Sequence, residues 1–233
     1  MITIFTDGSS RGNPGPGGWG SVIVEDKKVA ELGGAEKDTT NNRMELMAAI
    51  KGLSYAPKSA SATVFTDSSY VINGITKWIK GWKRNGWQTK TKQDVLNKDL
   101  WMELDQTLAK HTVKWQYVGG HVGILGNERC DHIATAFADG MKISLYKGPL
   151  AEYDLPNILD ISLDEAKLKQ KSSDSSHSRA KAYSYVSMVQ GVIETHHTWP
   201  ECEKRVKGTK GAKYKKSTSS DGEAQIIAEF EAI

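Results

Sequence analysis

The chain has few cysteines and no long hydrophobic run, and both absences narrow what it can be. Of its 233 residues only Cys130 and Cys202 are cysteines, and no Cys-x-x-Cys pair occurs. This argues against a thiolate metal site or a disulfide framework and suits the reducing cytoplasm, where we expect the protein. No apolar run approaches the roughly 18 residues of a membrane span. The first apolar run contains Asp7 and is too short for a signal peptide, so we expect none.

Net charge is also nearly absent, at a formal +3, so the whole chain argues only weakly for a polyanionic partner. The distribution of charge says more, because basic residues concentrate in residues 80–92 and again in residues 204–216. Trp82 and Trp87 are interleaved with the first basic stretch, which favours nucleic acid over an ordinary solvated surface. Hydrophobic content of 38% and charged content of 25% suit a globular protein with a substantial core.

Two strands predicted from the sequence end in the same tripeptide, Phe-Thr-Asp. Residues 2–6 are all β-branched or aromatic and lead to Asp7, which a Gly-Ser turn follows. The pattern recurs at residues 62–67, which end on Asp67. A carboxylate at the end of a buried strand is held rigidly while its head faces a cleft. In that setting carboxylate oxygens can hold a hard cation such as Mg²⁺.

The rest of the pattern predicts an α/β class fold with a mixed sheet. Apart from the two Phe-Thr-Asp strands, the predicted strands cover residues 19–24, 29–32 and 112–118. The predicted helices cover residues 42–53, 70–79, 99–110 and 127–139. The resulting order, β-β-β-α-β-α-α-β-α, describes a mixed sheet of five strands with helices packed on it.

A change in composition near residue 141 predicts a second unit. The elements above lie in a first domain, residues 1–140, and a linker follows at residues 141–182, whose serine-rich end lacks the apolar residues of a core. Order is predicted to resume in a small α/β domain at residues 183–233. Its predicted strands cover residues 183–189 and 212–216, and its predicted helices cover residues 199–206 and 223–230.

Four acids of the first domain stand out by their placement. Asp7 and Asp67 lie at strand ends, Glu45 lies one turn into the first helix, and Asp131 lies on the last helix. Neighbouring strand ends would bring the first two together, and the helix could add Glu45. Unpaired carboxylates at close range repel one another unless a cation is bound, which argues for divalent metal. Spacing alone leaves open the alternative that each is an ordinary surface acid.

Five short motifs follow one another in unbroken order along residues 1 to about 140. They are Ile4-Phe-Thr-Asp-Gly-Ser9, Asn13-Pro-Gly-Pro-Gly-Gly18, Thr39-Thr-Asn-Asn-Arg-Met-Glu-Leu46, Phe65-Thr-Asp-Ser-Ser-Tyr-Val71, and Gly120-His-Val-Gly123 with Gly126-Asn-Glu-Arg-Cys-Asp131. Together they closely resemble ribonuclease HI. The resemblance implies a ribonuclease H-like fold, in which helices flank a five-stranded mixed sheet. It also implies hydrolysis of the RNA strand of an RNA–DNA hybrid, leaving a 5′-phosphate and a 3′-hydroxyl.

The resemblance implies roles for single residues. Asp7, Glu45, Asp67 and Asp131 match metal-binding carboxylates that would hold two Mg²⁺ ions, with Mn²⁺ as an alternative, for activating water and stabilising the leaving 3′ oxygen. His121, on the loop before the last helix, matches a residue that assists proton transfer or product release. The matching substrate-binding positions are Gly8, Ser9, Asn13, Thr40, Asn41, Asn42, Ser69, Tyr70, Trp78, Trp82, Arg84 and Asn97.

These substrate positions divide between the two strands of a hybrid. Asn13, Asn41 and Asn42, together with Gly8, Ser9 and Ser69, would contact the RNA minor groove, where 2′-hydroxyls are exposed. Asn13 could equally be a turn former and Asn41 a helix cap. The three aromatic residues would line a channel for the DNA strand. Thr40 and Asn97 would grip a DNA phosphate, but Asp38 stands where the family's pocket has an arginine, and an acid there would repel phosphate.

The C-terminal residues resemble the small hybrid-binding domain of eukaryotic-type ribonucleases H, although that domain usually precedes the catalytic one. The resemblance implies that Trp199 and Tyr214 stack on the DNA strand while Lys215 and Lys216 contact phosphates. The alternative is an unrelated α/β cap whose Trp199 is core. The implied partner is an RNA–DNA hybrid, with no membrane and no obligate protein partner, and the expected state is a monomer.

Two other functions share these features. A hybrid-binding module without catalysis would not need the intact set of four acids. A nuclease or integrase of the same fold that acts on DNA alone would not need the asparagine set or the tail. We therefore expect a metal-dependent endoribonuclease specific for hybrids.

Overall fold

The main sheet of the computed structural model contains all five predicted strands. They are β1 (Ile2–Ser10), β2 (Gly15–Glu25), β3 (Lys28–Thr39), β4 (Ser61–Thr66) and β5 (Thr112–Tyr117). The first three form an antiparallel meander, and β1, β4 and β5 run parallel to one another. Phe5 of β1 lies beside Phe65 of β4, with ring centroids 5.1 Å apart. The two Phe-Thr-Asp strands are therefore neighbours in the centre of the sheet.

A sixth strand, β6 (Lys147–Pro149), pairs with the edge of β3 and corrects the prediction of five strands. The sheet order is β5-β4-β1-β2-β3-β6. β6 falls within the predicted linker, and the residues around it pack on the main core, where Tyr153 and Ile158 are buried. The first part of the predicted linker therefore carries apolar side chains that pack on the core, and the serine-rich end lacks such side chains.

The helices follow one another along the chain in the order that the sequence predicts. They are α1 (Asn41–Tyr55), α2 (Ser69–Asn73), a π-helical turn (Gly74–Trp78), α3 (Ile79–Arg84), α4 (Lys98–Leu108) and α5 (Leu125–Ala138). α5 lies directly on β2. The approach is so close that a Cβ atom on Gly18 or Gly20 would overlap the backbone of the helix. Glycine at these two positions sets the close approach of helix and sheet.

The structure describes residues 2–89, 91–119, 123–155, 157–161, 182–209, 211–217 and 219–231. Contacts divide the chain into two compact units, residues 1–72 with 99–175 and residues 73–98 with 176–233, which are described separately. The domain boundaries given above stay a prediction. Within the described part, no helix combines the length and the apolar character needed to cross a membrane.

A second sheet of three strands carries the C-terminal elements. β7 (Ser184–Val189) lies between β8 (Val192–His196) and β9 (Lys213–Ser217), and all neighbours are antiparallel. α6 (Trp199–Val206) and α7 (Ser220–Glu231) pack against it. The sequence predicted these elements except β8, whose residues are mostly exposed and lack the alternation of a half-buried strand.

Candidate functional site

The candidate site lies where the two central parallel strands end. Thr6 of β1 pairs with Thr66 of β4, so Asp7 and Asp67 follow side by side at one edge of the sheet. Together with Glu45 of α1, each offers a carboxylate oxygen, and these oxygens lie within 4.8 Å of one another. The structure thus brings together three of the four predicted carboxylates.

Gly8 is what lets Glu45 approach. A Cβ atom at Gly8 would overlap the backbone nitrogen of Glu45 and the carbonyl carbon of Met44, so the end of β1 rests directly on the first turns of α1. The helix begins here because Thr40 is its N-cap, with a hydroxyl that accepts from Arg43 N–H at 3.4 Å. The sequence therefore builds the cluster from a strand end, a glycine and a capped helix.

Asparagine side chains form hydrogen bonds in the region where the end of β1 meets the start of α1. Asn41 Nδ2 donates to Glu45 Oε1 at 3.3 Å. Asn13 Oδ1 accepts from the backbone N–H of Asn41 at 3.0 Å and from the hydroxyl of Ser10 at 3.2 Å. Asn13 therefore supports the first turn of α1, Thr40 rather than Asn41 is the cap, and Asn42 is buried.

Asp7 is buried in a way that suits a cation. Its side chain belongs to a residue only 4% exposed, and Gly8 N–H donates to Oδ1 at 2.7 Å. Oδ2 is buried and has no hydrogen-bond partner among the described residues. Burial, and then the charges of Asp67 and Asp131, raise the pKa of Asp7 to about 8, and the Gly8 hydrogen bond only partly opposes this. A hard divalent cation would satisfy the buried oxygen and offset the repulsion.

The fourth acid and the histidine are placed differently. Asp131 lies half-buried on α5, and its charge acts on Asp7, but it is outside the cluster of three. His121 lies outside the described residues, so its predicted role stays a prediction.

The three aromatic residues predicted to line a channel for the DNA strand are buried. Tyr70, Trp78 and Trp82 are 2%, 2% and 5% exposed. Tyr70 and Trp101 pack with ring centroids 5.4 Å apart, and Trp101 Nε1 donates to the Tyr70 hydroxyl at 2.9 Å. Aromatic residues at helical spacing are equally typical of a core, and in the described structure these side chains are packed.

The other predicted substrate positions lie at element ends. Ser9 is half-buried near the end of β1, and Ser69 begins α2. Arg84 is exposed at the end of α3, and Asn97 has a positive φ of 57° just before α4. Asp38 is exposed on β3, so the acid in place of the family's arginine faces solvent.

The C-terminal unit presents an aromatic row. Trp199 lies between Tyr185 and Tyr214, with ring centroids 5.5 Å and 5.0 Å away, and Tyr214 is 52% exposed. Lys215 is exposed, but its Nζ donates to both carboxylate oxygens of Glu229 at 2.6 and 2.7 Å. Sequence reasoning missed Tyr185 and Glu229. Tyr185 alternates along β7 on the same face as the row and could have been found from that spacing, whereas Glu229 reaches Lys215 only through the folding of α7.

Three comparisons with known proteins agree with this geometry. Residues 1–139 match the family model described as RNase H, and residues 195–225 match one described as Ribonuclease H1 N-terminal domain. "Ribonuclease H" of Pseudomonas syringae pv. syringae is 50% identical over 141 residues, which are 60% of this chain and 94% of the relative.

Two further matches extend the comparison. "Ribonuclease H" of Francisella philomiragia is 52% identical over 134 residues, which are 58% of this chain and 88% of the relative. Among solved structures, LC9-RNase H1, titled a type 1 RNase H with the type 2 active-site motif, matches with a TM-score of 0.56 at 30% identity. That match covers 63% of this chain and 76% of the other.

Proposed function

The chain belongs to the ribonuclease H family, and on this premise we propose that it is an endoribonuclease that hydrolyses the RNA strand of RNA–DNA hybrids. The observation that carries the proposal is the cluster of Asp7, Glu45 and Asp67, within 4.8 Å of one another in the segment that matches the family. A hybrid-binding module without catalysis would have no use for buried acids that repel one another.

We propose Mg²⁺ as the metal at this cluster, with Asp131 as the fourth ligand. Oδ2 of Asp7 is buried and has no hydrogen-bond partner in the part of the chain that the structure describes, and this atom and the all-carboxylate donor set support a hard cation. Bound at these residues, two such ions would supply an activated water and would stabilise the leaving 3′ oxygen, chemistry that would leave 5′-phosphate and 3′-hydroxyl ends. Gly8 N–H holds Asp7 Oδ1, and Asn41 holds Glu45 Oε1, so both carboxylates are oriented before substrate arrives. We propose that His121 assists proton transfer or product release.

Selectivity for RNA would come from residues around the start of α1, the same region that orients those carboxylates. Ser9, Asn13, Asn41 and Asn42 lie around the start of α1, and amide groups both donate and accept, as contacts to a 2′-hydroxyl require. Gly8 contributes because it has no side chain, which lets the end of β1 lie directly against α1. Ser69 would take a second minor-groove position at the start of α2.

For the DNA strand we propose contacts from exposed groups of the basic stretch, with Arg84 foremost. Because Tyr70, Trp78 and Trp82 are buried, they would support the wall of the channel from behind. Thr40 and Asn97 remain the proposed phosphate grip. The hydroxyl of Thr40 already caps α1, so it would serve both roles.

The C-terminal unit would act as a second binder of the same hybrid. The exposed ring of Tyr214 beside Trp199, with Lys215 and Lys216, offers stacking and phosphate contacts. Tethering it to the catalytic domain raises the local concentration of substrate. We further propose a monomer in the cytoplasm, a compartment that suits two buried free thiols.

One assay tests the proposal against its competitors. A labelled RNA–DNA hybrid, an RNA duplex and a DNA duplex are each incubated with the protein, with and without Mg²⁺. We expect cleavage of the hybrid's RNA strand alone, and only with Mg²⁺. Asp7→Asn should abolish turnover while retaining hybrid binding, and Asp139→Asn, which changes an exposed carboxylate paired with Arg11, should leave turnover intact. Cleavage of the DNA duplex, or no cleavage of the hybrid, would overturn the proposal.

A further inference from the structure

A buried carboxylate also lies outside the proposed site. The side chain of Glu31, on β3, has no exposed surface. A buried charge is destabilising unless it is paired and hydrogen-bonded. The partners of Glu31 come from α5 and from the segment after it, and both lie in the unit that holds the carboxylate cluster.

Arg129 of α5 supplies the charge. Its Nε donates to Glu31 Oε1 at 2.7 Å and its Nη2 donates to Oε2 at 2.8 Å, a bidentate pair. Burial alone would raise the pKa of Glu31, but the hydrogen bonds from Arg129, Tyr153 and the Tyr146 N–H outweigh it and lower that pKa. Glu31 therefore stays ionised, and the pair ties one side of α5 to the sheet.

Residues that follow α5 in the chain also form hydrogen bonds to the carboxylate of Glu31. The Tyr153 hydroxyl donates to Glu31 Oε1 at 2.5 Å, and Tyr146 N–H donates to Oε2 at 2.9 Å. Arg129 Nη2 also donates to the carbonyl of Ser144 at 3.2 Å. The rings of Tyr146 and Tyr153 pack with centroids 5.0 Å apart. Residues 144–153 thus form a brace that joins α5 to β3.

The brace bears on the proposed site through helix geometry. Arg129 and Asp131 are two residues apart, about 200° around a helix, so they project from nearly opposite sides of α5. Ile133 and Phe137 of α5 pack on glycines of the sheet, and the Arg129–Glu31 pair with its brace is a separate restraint on the rotation of the helix. A rotation of about 20° would move a side-chain tip some 5–6 Å from the axis by about 2 Å. That is close to the length of a bond between a carboxylate and Mg²⁺.

We propose that Glu31 and Tyr153 are positioning residues that set the rotation of α5 and so the place of Asp131, an inference that rests on the proposed function of Asp131 as a metal ligand. The segment after α5 is then part of the catalytic apparatus, although it touches neither metal nor substrate. Residues that orient ligands in this way commonly change metal affinity about 10–100-fold when they are replaced.

The test uses the full chain with Glu31→Gln and Tyr153→Phe, and with Glu103→Gln and Tyr55→Phe as matched controls. Glu103 forms an exposed pair with Lys51, and Tyr55 is 39% exposed. For Glu31→Gln we expect the Mg²⁺ concentration at half-maximal hybrid cleavage to rise about tenfold, with KM for the hybrid unchanged and activity restored by excess Mg²⁺. Tyr153→Phe, which keeps the ring, should shift in the same direction by less. The controls should match the wild type.

A second measurement does not depend on cleavage. Hydrogen exchange in metal-free protein should show faster exchange of α5 amides in Tyr153→Phe, with α1 amides unchanged. Unaltered exchange in α5, or an unaltered Mg²⁺ midpoint in a folded variant, would overturn the brace. If the wild type fails to cleave the hybrid, the proposed function fails instead, and the exchange measurement still judges the brace. If Glu31→Gln does not fold, Tyr153→Phe decides.

Discussion

Replacing Asp7 with asparagine should make the metal-free protein more stable, because it removes a carboxylate that the fold holds at a penalty. Burial, with the charges of Asp67 and Asp131, raises the pKa of Asp7 to about 8 from an ordinary value of 3.8. In the unfolded chain this carboxyl is ionised at neutral pH. Folding must therefore either protonate it or bury its charge beside two others.

The direction and the size of the effect follow from proton binding. The folded state binds this proton more tightly than the unfolded state, so the stability of the metal-free wild type falls as the pH rises from about 4 to about 8. At pH 7 the penalty amounts to about 4 kcal/mol. In Asp7→Asn the buried amide lacks full hydrogen bonding, which costs about 2 kcal/mol, so about half of the penalty remains. The net gain of about 2 kcal/mol should raise Tm by about 5 °C.

Urea unfolding followed by circular dichroism, in EDTA at several pH values, measures this. Between about pH 5.5 and 8.5 the advantage of Asp7→Asn over the wild type should widen by about 3 kcal/mol. Asp139→Asn is the control, since pairing with Arg11 on the surface lowers the pKa of Asp139 and its titration lies below this range. Added Mg²⁺ should stabilise the wild type and not Asp7→Asn. Equal stability of the two proteins in EDTA at pH 8.5 would refute the reasoning.

Three further variants test other contacts. Gly8→Ala should destabilise the protein by about 3 kcal/mol and lower kcat, because its methyl group would overlap the start of α1; an unchanged melting curve would contradict this. Trp199→Ala combined with Tyr214→Ala should raise KM for a long hybrid about tenfold with kcat unchanged, whereas a short hybrid that cannot reach both units should show no change. Glu229→Gln should release Lys215 for phosphate, tightening hybrid binding and steepening its dependence on salt by about one unit of slope; identical salt titrations would argue against it.

The carboxylate cluster could be predicted from sequence because its parts are local. Asp7 and Asp67 each end a strand with the same tripeptide, and parallel strands place such ends together. Glu45 follows a recognisable cap, Thr40. Each of these signals sits within a few residues of the group it places.

What could not be predicted depends on distant partners or on weak local patterns. Glu31 meets Arg129 across 98 positions and Tyr153 across 122, and nothing near Glu31 in sequence marks it as buried. β6 is three residues long and ends in proline, too short for a pattern of alternation. The burial of Trp78 and Trp82 likewise follows from tertiary packing, which their basic neighbours in sequence do not reveal.

The short outer strand also bears on how copies of the molecule meet. An open sheet edge offers unpaired N–H and carbonyl groups to any neighbouring chain, and natural proteins often close such edges with short strands, lysine or proline. β6 does this with Lys147 and Pro149, and proline has no N–H to offer. A chain cut before residue 147 would uncover Lys28–Ala30 of β3, including the buried side chain of Val29. We expect such a shortened protein to self-associate at concentrations where the full chain stays dispersed. Light scattering would measure this self-association.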